Sequence, residues 1–594
     1  MTTRTFKRTL AMLLLGLLAF APSGIAQSLN ALLPSETLVA LGTTGLNDHV
    51  DLFDDFLKEF EERGVGDALM LLYGGVGGEI GEEMGEEMGG EMGDLESEIP
   101  EALRDLGALD VIGREAWIAL SASQFNPLPA VTLIARMSDN ATAAFGTLID
   151  DAAGGETVQE LTEGSVAFWV MATEQPDSPV QAVAYTQVDG ITILSTNPDV
   201  LRGALRRLAG SGEPGFTTSP SHEATFGQMG DGQFYGFLDN GSIATAVAPF
   251  ARGMGFAPLV ERVERALRTF GASAGVVRLV ANGIETEGIN APNPEGGDVG
   301  LYNLLTTNGT YDPGTLDYVT PTTLSVNTGY TDLTGWWNWF NDLIGSVPEF
   351  GVQSLDQALM DFLGIDLRGT FFAWTGTHVA TVTTGIADAA EPGMTATNLL
   401  GEQVYLIEAT DEAEARAGLS TLFNNIAVSV SAFADPTGGP GGLGIAQLTI
   451  EGVTVDVYEI TPGLQLTTAV TNGYALIATS QDAMEEVLVG AAGTAGMPPV
   501  FDRLLADVPT DVKSLWLSDS RALAEATGLQ FASLIQLGSG FAGASNIDFE
   551  AVTQTSETLE AYVLFIASRL GGSVSQLQVE DQRIHTQGRT EIRW

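Results

Sequence analysis

The chain contains no cysteine. Disulfides, thiol nucleophiles, thiolate metal sites and lipid attachment through an N-terminal cysteine are excluded together. Lysine is nearly absent, occurring only at Lys7, Lys58 and Lys513, and Lys plus Arg number 25 against 76 Asp plus Glu. The formal net charge of −51 therefore comes from a shortage of bases, because the acids are ordinary in number for 594 residues. Nucleic acid and anionic lipid headgroups both need clustered cations, so this composition argues against either as a partner. It suits a soluble envelope protein and favours cationic partners or divalent ions. Histidine is scarce as well: His49, His222, His378 and His585 lie far apart, with no H-E-x-x-H and no paired spacing, so no zinc site is expected. No hydrophobic run reaches the roughly 20 residues of a membrane-crossing helix.

What is present begins with an export signal. Arg4, Lys7 and Arg8 form a positive n-region, Leu10–Phe20 an apolar h-region, and Gly24-Ile25-Ala26 a small-residue cleavage site. Residues 1–26 are therefore expected to leave, and the mature chain to start near Gln27 as an exported protein, periplasmic or extracellular. It is not expected to span the membrane after cleavage.

The mature chain says the same thing twice. Val188–Arg202 (VDGITILSTNPDVLR) is answered by Thr471–Glu485 (TNGYALIATSQDAME), and Leu33–Leu57 by Thr320–Ile344. The closing phrases pair as Gly283–Gly288 (GIETEG) with Arg583–Gly588 (RIHTQG). A duplication of this length implies two copies of one domain. The expected organisation is a first repeat over 27–290, a linker over 291–318 and a second repeat over 319–594. Pro34 matches Pro321, and the intervals between later matches locate insertions. Copy one gains the Gly/Glu/Met-rich tract Gly74–Ser97, whereas copy two gains Ile386–Leu400 and the Gly/Pro loop Asp435–Gly444.

Within a copy, strands and helices alternate. Thr37–Gly42, Ala116–Ser121, Ala130–Arg136, Val166–Met171, Val180–Thr186, Ile191–Ser195 and Gln233–Leu238 read as strands, with a hairpin at Val188-Asp189-Gly190. Helices are expected at Asp48–Glu61, Ala141–Asp151 and Pro258–Thr269. Another starts at Thr196 or Asn197, where Pro198 fits the first turn and Asp199 faces the dipole. A strand pair near Val276–Ile289 closes the copy. The fold class is α+β: two tandem homologous domains, each a largely antiparallel sheet packed with several helices.

The duplicated strand–turn–helix phrase (ILSTNPDVLRGAL and LIATSQDAMEEVL) and the opening LPSETLVALG after a signal peptide resemble an uncharacterised bacterial envelope family, the domain of unknown function numbered thirty-three fifty-two. The resemblance covers most of the mature chain. It implies an envelope location and carries no activity and no site residues.

Several motifs invite a functional reading. Gly271-Ala272-Ser273-Ala274-Gly275 matches G-x-S-x-G, but a helix precedes it and a strand follows, the reverse of a nucleophile elbow. Gly210–Gly215 and Gly439–Gly444 match G-x-G-x-x-G without following a strand and opening a helix, so neither is a dinucleotide fingerprint. Met84, Met88 and Met92 recur every fourth residue among glutamates; thioethers select soft ions such as Cu(I), while a mobile acidic insertion is the plainer reading.

Trp336, Trp337, Trp339 and Phe340 form the densest aromatic group. Leu333, Trp336, Trp339, Phe340 and Leu343 share one helical stripe, which predicts a core-facing helix; the bulk beyond that of copy one leaves room for an exposed aromatic patch or an apolar ligand pocket. Arg202, Arg206, Arg207, Arg252, Arg262, Arg265, Arg268 and Arg278 concentrate the scarce bases in copy one. Pairing between the halves is the plain explanation, and an anion or acidic-partner site the sharper one.

No polar constellation amounts to a catalytic signature and no cofactor is expected. The chain therefore reads as an exported, non-catalytic envelope protein that binds a partner or apolar ligand or acts as a scaffold. The alternative is a carboxylate-based hydrolase of envelope polymers, whose two acids would be neighbours only in space.

Overall fold

The computed structural model describes residues 28–49, 114–122, 129–153, 158–172, 182–253, 257–345, 353–385, 401–434, 445–461, 464–493, 496–526 and 549–594, with a few positions between 52 and 63. The export signal, the tract with Met84, Met88 and Met92, the loops Ile386–Leu400 and Asp435–Gly444, and most of the helix expected at Asp48–Glu61 lie outside the described residues.

The fold is mixed α+β and its sheets are antiparallel. The chain forms two compact units: Val76–Tyr302 makes up most of the first and Asn303–Asp581 most of the second. The first unit runs β1 (Thr37–Thr44), β2 (Glu115–Ser121), β3 (Ala130–Arg136), α1 (Asp139–Ala153), β4 (Val158–Glu163), β5 (Val166–Ala172), β6 (Ala182–Val188) and β7 (Ile191–Ser195). It continues with α2 (Pro198–Leu208), α3 (Pro220–Ala224), β8 (Phe234–Asp239), α4 (Asn240–Gly253), α5 (Ala257–Phe270), β9 (Ala272–Val280) and β10 (Gly283–Ala291). Its lateral strand order is β4-β5-β6-β7-β3-β2-β1-β8-β9-β10.

The second unit runs α6 (Val299–Thr306), β11 (Ser325–Tyr330), α7 (Leu333–Gly345), α8 (Leu355–Leu363), β12 (Thr375–Gly385), β13 (Glu402–Ala409), α9 (Glu412–Ala434), β14 (Ile445–Ile450), β15 (Val453–Thr461) and β16 (Leu464–Thr471). Then come β17 (Tyr474–Ala478), α10 (Gln481–Ala491), α11 (Pro499–Leu505), β18 (Ser514–Asp519), α12 (Phe549–Arg569), β19 (Leu570–Glu580) and β20 (Arg583–Ile592). Its order is β14-β15-β16-β17-β13-β12-β11-β18-β19-β20. Strand for strand, this is the order of the first unit.

The registers agree as well. Ala40 lies between Phe237 and Ala119, and Ala119 faces Thr132; all four are buried. Val326 lies between Leu517 and Val382, and Val382 faces Val404; again all four are buried. This row is the floor of the main core in each unit. In the first, α2 lays Leu201, Ala204 and Leu205 on it; in the second, α10 lays Ala483, Met484, Val487 and Leu488. The opposite face takes α1 through Ala141 and Phe145, or α9 through Ala415, Leu419 and Phe423. Each buried Leu or Phe contributes about 1.5–3 kcal/mol, so two helix-covered faces supply the stability that disulfides cannot.

Local chemistry fixes the turns. Asp189 and Gly190 both have positive φ, as do Asn472 and Gly473, which is the two-residue hairpin with left-handed positions. Helix α2 starts where the sequence places it: the Asn197 side chain accepts from the Asp199 N–H, with Pro198 in the first turn. The predicted strands are found within a few residues of their expected ends. Strand β4 was not predicted, because VQELTE is polar and largely exposed, with Leu161 packing against the core from one face. Helix α4 was not predicted either, and part of the expected linker is helix α6 followed by the turn Pro313–Tyr318, which buries Tyr318.

Candidate functional site

Helix α7 carries the aromatic cluster. Asp332 starts it, its carboxylate accepting from the Gly335 N–H at 2.7 Å. Trp337 and Asn341, one turn apart, face α8: the Trp337 indole N–H donates to Asp356 at 2.8 Å, and the Asn341 side chain accepts from the Asp356 N–H at 3.0 Å. Arg368 closes this clamp, donating to Asp356 and to Asn338. Trp337 also stacks on Phe372 at 5.4 Å.

The expected core stripe reaches the core only at its start: Leu333 packs against it, whereas Phe340 is exposed. The only buried side chain of α7 is Asn341. Trp336, Trp339 and Phe340 make ring contacts with one another at 4.9 to 6.2 Å, and Phe340 is 46% exposed. The physical reason is the polar clamp: once Asn341 and Trp337 are committed to Asp356, Trp339 lies opposite the clamp, and Trp336 and Phe340 fall on the helix flank beside it. Periodicity gives a stripe its spacing but not the direction in which it faces. Three mutually packed aromatic rings, two partly buried and one exposed, are the kind of surface that takes an apolar ligand or partner.

The arginines of the first unit are engaged inside it. Arg202 pairs with Asp199 at 2.7 Å and lies over the Phe168 ring; Arg206 pairs with Glu213 at 2.6 Å and Glu163 at 3.4 Å. Arg207 is held below the usual guanidinium range by burial, and donates twice to the Leu32 carbonyl, at 3.0 and 2.7 Å. Arg252 and Arg268 share Glu264, Arg265 reaches Glu261 at 4.0 Å, and Arg278 pairs with Glu287. Arg262 makes no ion pair among the described residues. The grouping thus serves local pairing within helices and hairpins, a use that the bare count of bases does not reveal.

Three carboxylate anchors were not visible in the sequence. Buried Glu115 accepts from the Leu29 N–H at 2.6 Å, the Ser28 hydroxyl at 2.8 Å and the Trp117 indole at 3.2 Å, with Arg136 at 3.7 Å. In the second unit Glu408 accepts from the Thr377 and His378 N–H groups and stands 2.9 Å from His378 Nδ1, while His378 Nε2 stands 3.1 Å from the Thr310 carbonyl. Asp312 accepts from the Tyr474 hydroxyl and the Gly314 N–H. Burial raises the Tyr474 phenol far above its ordinary range, and the Asp312 carboxylate adds to that. Every carboxylate here is occupied by donors from its own unit, which suits anchoring and opposes general acid or base work.

The motifs set aside on sequence grounds take structural places. Ser273 lies inside β9, and its hydroxyl accepts from the Asn290 amide at 2.6 Å. Gly210 and Gly212 have positive φ in the turn after α2. Among the described residues no three His, Asp or Glu side chains gather as metal ligands, and no helix is long and apolar enough to cross a membrane. No family model, curated protein or solved structure matches this chain.

Proposed function

We propose that this chain is an exported, non-catalytic envelope protein built from two copies of one ten-strand domain, and that it binds an apolar ligand or partner through helix α7. Membership of the envelope family it resembles is part of this reading. The equal strand order and registers of the two units support the duplication. The observation that carries the binding role is on α7: Asn341 is its buried residue, whereas Trp336 and Trp339 are only partly buried and Phe340 is exposed. Ordinary packing would place them the other way round, since an aromatic side chain has the most to gain from burial. The engaged carboxylates Glu115, Glu408 and Asp312 favour this role over hydrolysis.

The test uses the mature chain and N-phenylnaphthylamine as an apolar fluorescent probe. Binding should be saturable and fall about tenfold in Phe340→Ala, with little change in the unfolding midpoint because Phe340 is half exposed. Equal binding by wild type, Phe340→Ala and Trp339→Ala would refute the assignment. Native mass spectrometry of gently purified protein should show a co-purifying apolar molecule.

A further inference from the structure

Four side chains stand abreast on the second unit's sheet. Asn327 of β11 pairs with Trp516 of β18 on one side and Thr381 of β12 on the other, and Thr381 pairs with Tyr405 of β13. Residues directly opposed across antiparallel strands share a face, so all four project together. Trp516 is 36% and Tyr405 38% exposed, with Asn327 exposed between them. Strand spacing puts the two aromatic positions about 14 Å apart. The Tyr405 hydroxyl donates to Gln403 at 2.8 Å, which fixes its ring. The Asn327 amide, the Thr381 hydroxyl and the Trp516 indole N–H make no hydrogen bond among the described residues.

The fold does not require this chemistry. At the same register the first unit carries Gly236, Leu41, Ile118 and Leu133, without one hydrogen-bonding side chain. The polar row is also free of Asp, Glu, Lys and Arg, in a chain whose net charge is −51. Charge matching therefore selects an uncharged ligand: an anionic one meets no cation here, and a cationic one finds carboxylates elsewhere. An acyl chain would strip water from the amide and hydroxyl and return nothing, at the cost of unsatisfied polar groups.

We propose that the row Trp516–Asn327–Thr381–Tyr405 is a binding platform for a neutral oligosaccharide. A pyranose ring has an apolar C–H face and a rim of hydroxyls. The C–H face suits the electron-rich faces of the indole and phenol rings. The rim suits an amide that donates and accepts, beside a hydroxyl that does both. The span between the rings fits a short chain of sugars better than a single one.

Isothermal titration of the mature chain with maltohexaose, cellohexaose and chitohexaose tests this. At least one should bind saturably and quench tryptophan fluorescence. Trp516→Ala should bind about tenfold more weakly, and Asn327→Ala about fivefold, with unchanged circular dichroism. Thr381→Val, nearly isosteric, should also weaken binding, whereas Phe340→Ala should leave it intact, which separates this site from α7. Failure of all three sugars to bind would overturn the proposal. So would sugar binding that survives both Trp516→Ala and Trp516→Phe, or that N-phenylnaphthylamine displaces.

Discussion

Glu115 and His378 occupy the same register position in the two units, each opposite the last residue of the unit's first strand, Thr44 or Tyr330. They anchor the incoming chain with opposite hydrogen-bonding sense. Glu115 accepts from Ser28 and Leu29, whereas His378 reaches the Thr310 carbonyl. The acid–base pair is completed from the neighbouring strand, by Arg136 in one case and Glu408 in the other. Acid and base have exchanged strands. What the arriving segment offers, a backbone N–H and a serine hydroxyl in one unit or a carbonyl in the other, accounts for the exchange.

Glu115→Gln is expected to destabilise the first unit by about 2 kcal/mol, because it removes the buried charge that accepts from the Leu29 N–H and the Ser28 hydroxyl. Urea unfolding followed by Trp117 fluorescence should show a lower midpoint. A midpoint equal to the wild type would remove the anchoring role.

His222 stands where Phe501 stands, each two residues after the proline that opens a short helix. It packs against Phe216 at 4.9 Å and Phe226 at 5.6 Å, and its Nδ1 is buried without a partner among the described residues. Burial holds the imidazole below its ordinary value of 6.5, with Glu223 opposing. The unfolded chain therefore takes up the proton first. This contribution to stability is complete above pH 6.5 and is lost as pH falls through the lowered folded value. His222→Phe should raise stability by about 1 kcal/mol at neutral pH and flatten that acid-side decline in thermal melts. A variant less stable than the wild type at pH 6 would contradict this.

Asp312 and Glu408 should make the second unit acid-sensitive. Burial pushes both carboxyls up. Bonds from the Tyr474 hydroxyl and the Gly314 N–H outweigh it at Asp312, bonds from the Thr377 and His378 N–H groups at Glu408, and His378 assists both. Both therefore lie below the usual carboxylate range, and their contribution holds above that range and is lost as pH falls through the lowered values. Tyr474→Phe should cost about 2 kcal/mol at pH 7, with the gap to wild type narrowing on acidification. A gap that stays constant down to pH 3 would show that Asp312 is not the group concerned.

Gly42 lies against the face of Trp117, where an added Cβ would fall 2.3 Å from the indole ring. Gly42→Ala should cost about 1–3 kcal/mol by overpacking and shift the emission of the buried Trp117. An unperturbed spectrum with unchanged stability would show that the ring has room to move.

Much of the fold is legible because its signals are local. Asp189-Gly190, Asn197-Pro198 and the alternation in Ala130–Arg136 each depend on a few neighbouring residues. Register is not local. The sequence sets Pro34 against Pro321, but the turn bonds run from the Thr37 N–H to the Pro34 carbonyl and from the Thr323 N–H to that of Thr320. The equivalent residue is thus Thr320, one place earlier, and a one-residue slip exchanges the faces of a strand. Sites suffer more than elements. Asn327, Trp516 and Tyr405 become neighbours only through cross-strand pairing, and the outward turn of α7 depends on Asp356, in another helix.

The segment Ser28–Leu33 is held at the front by Glu115 and at the rear by Arg207, with Leu29, Leu32 and Leu33 sunk in the core between them. In the second unit Gly490 takes the place of Arg207 and closes directly on the turn, where an added Cβ would lie 2.9 Å from the Tyr318 carbonyl, and Glu486 holds the turn by accepting from the Thr320 and Thr322 hydroxyls. Mechanical load therefore divides differently. Tension applied ahead of Ser28 is borne by two charge-assisted hydrogen-bonded grips and three leucines before it reaches β1, so this short segment acts as a shear pin. In single-molecule pulling from that end, Arg207→Ala should lower the first rupture force and leave the later ones unchanged.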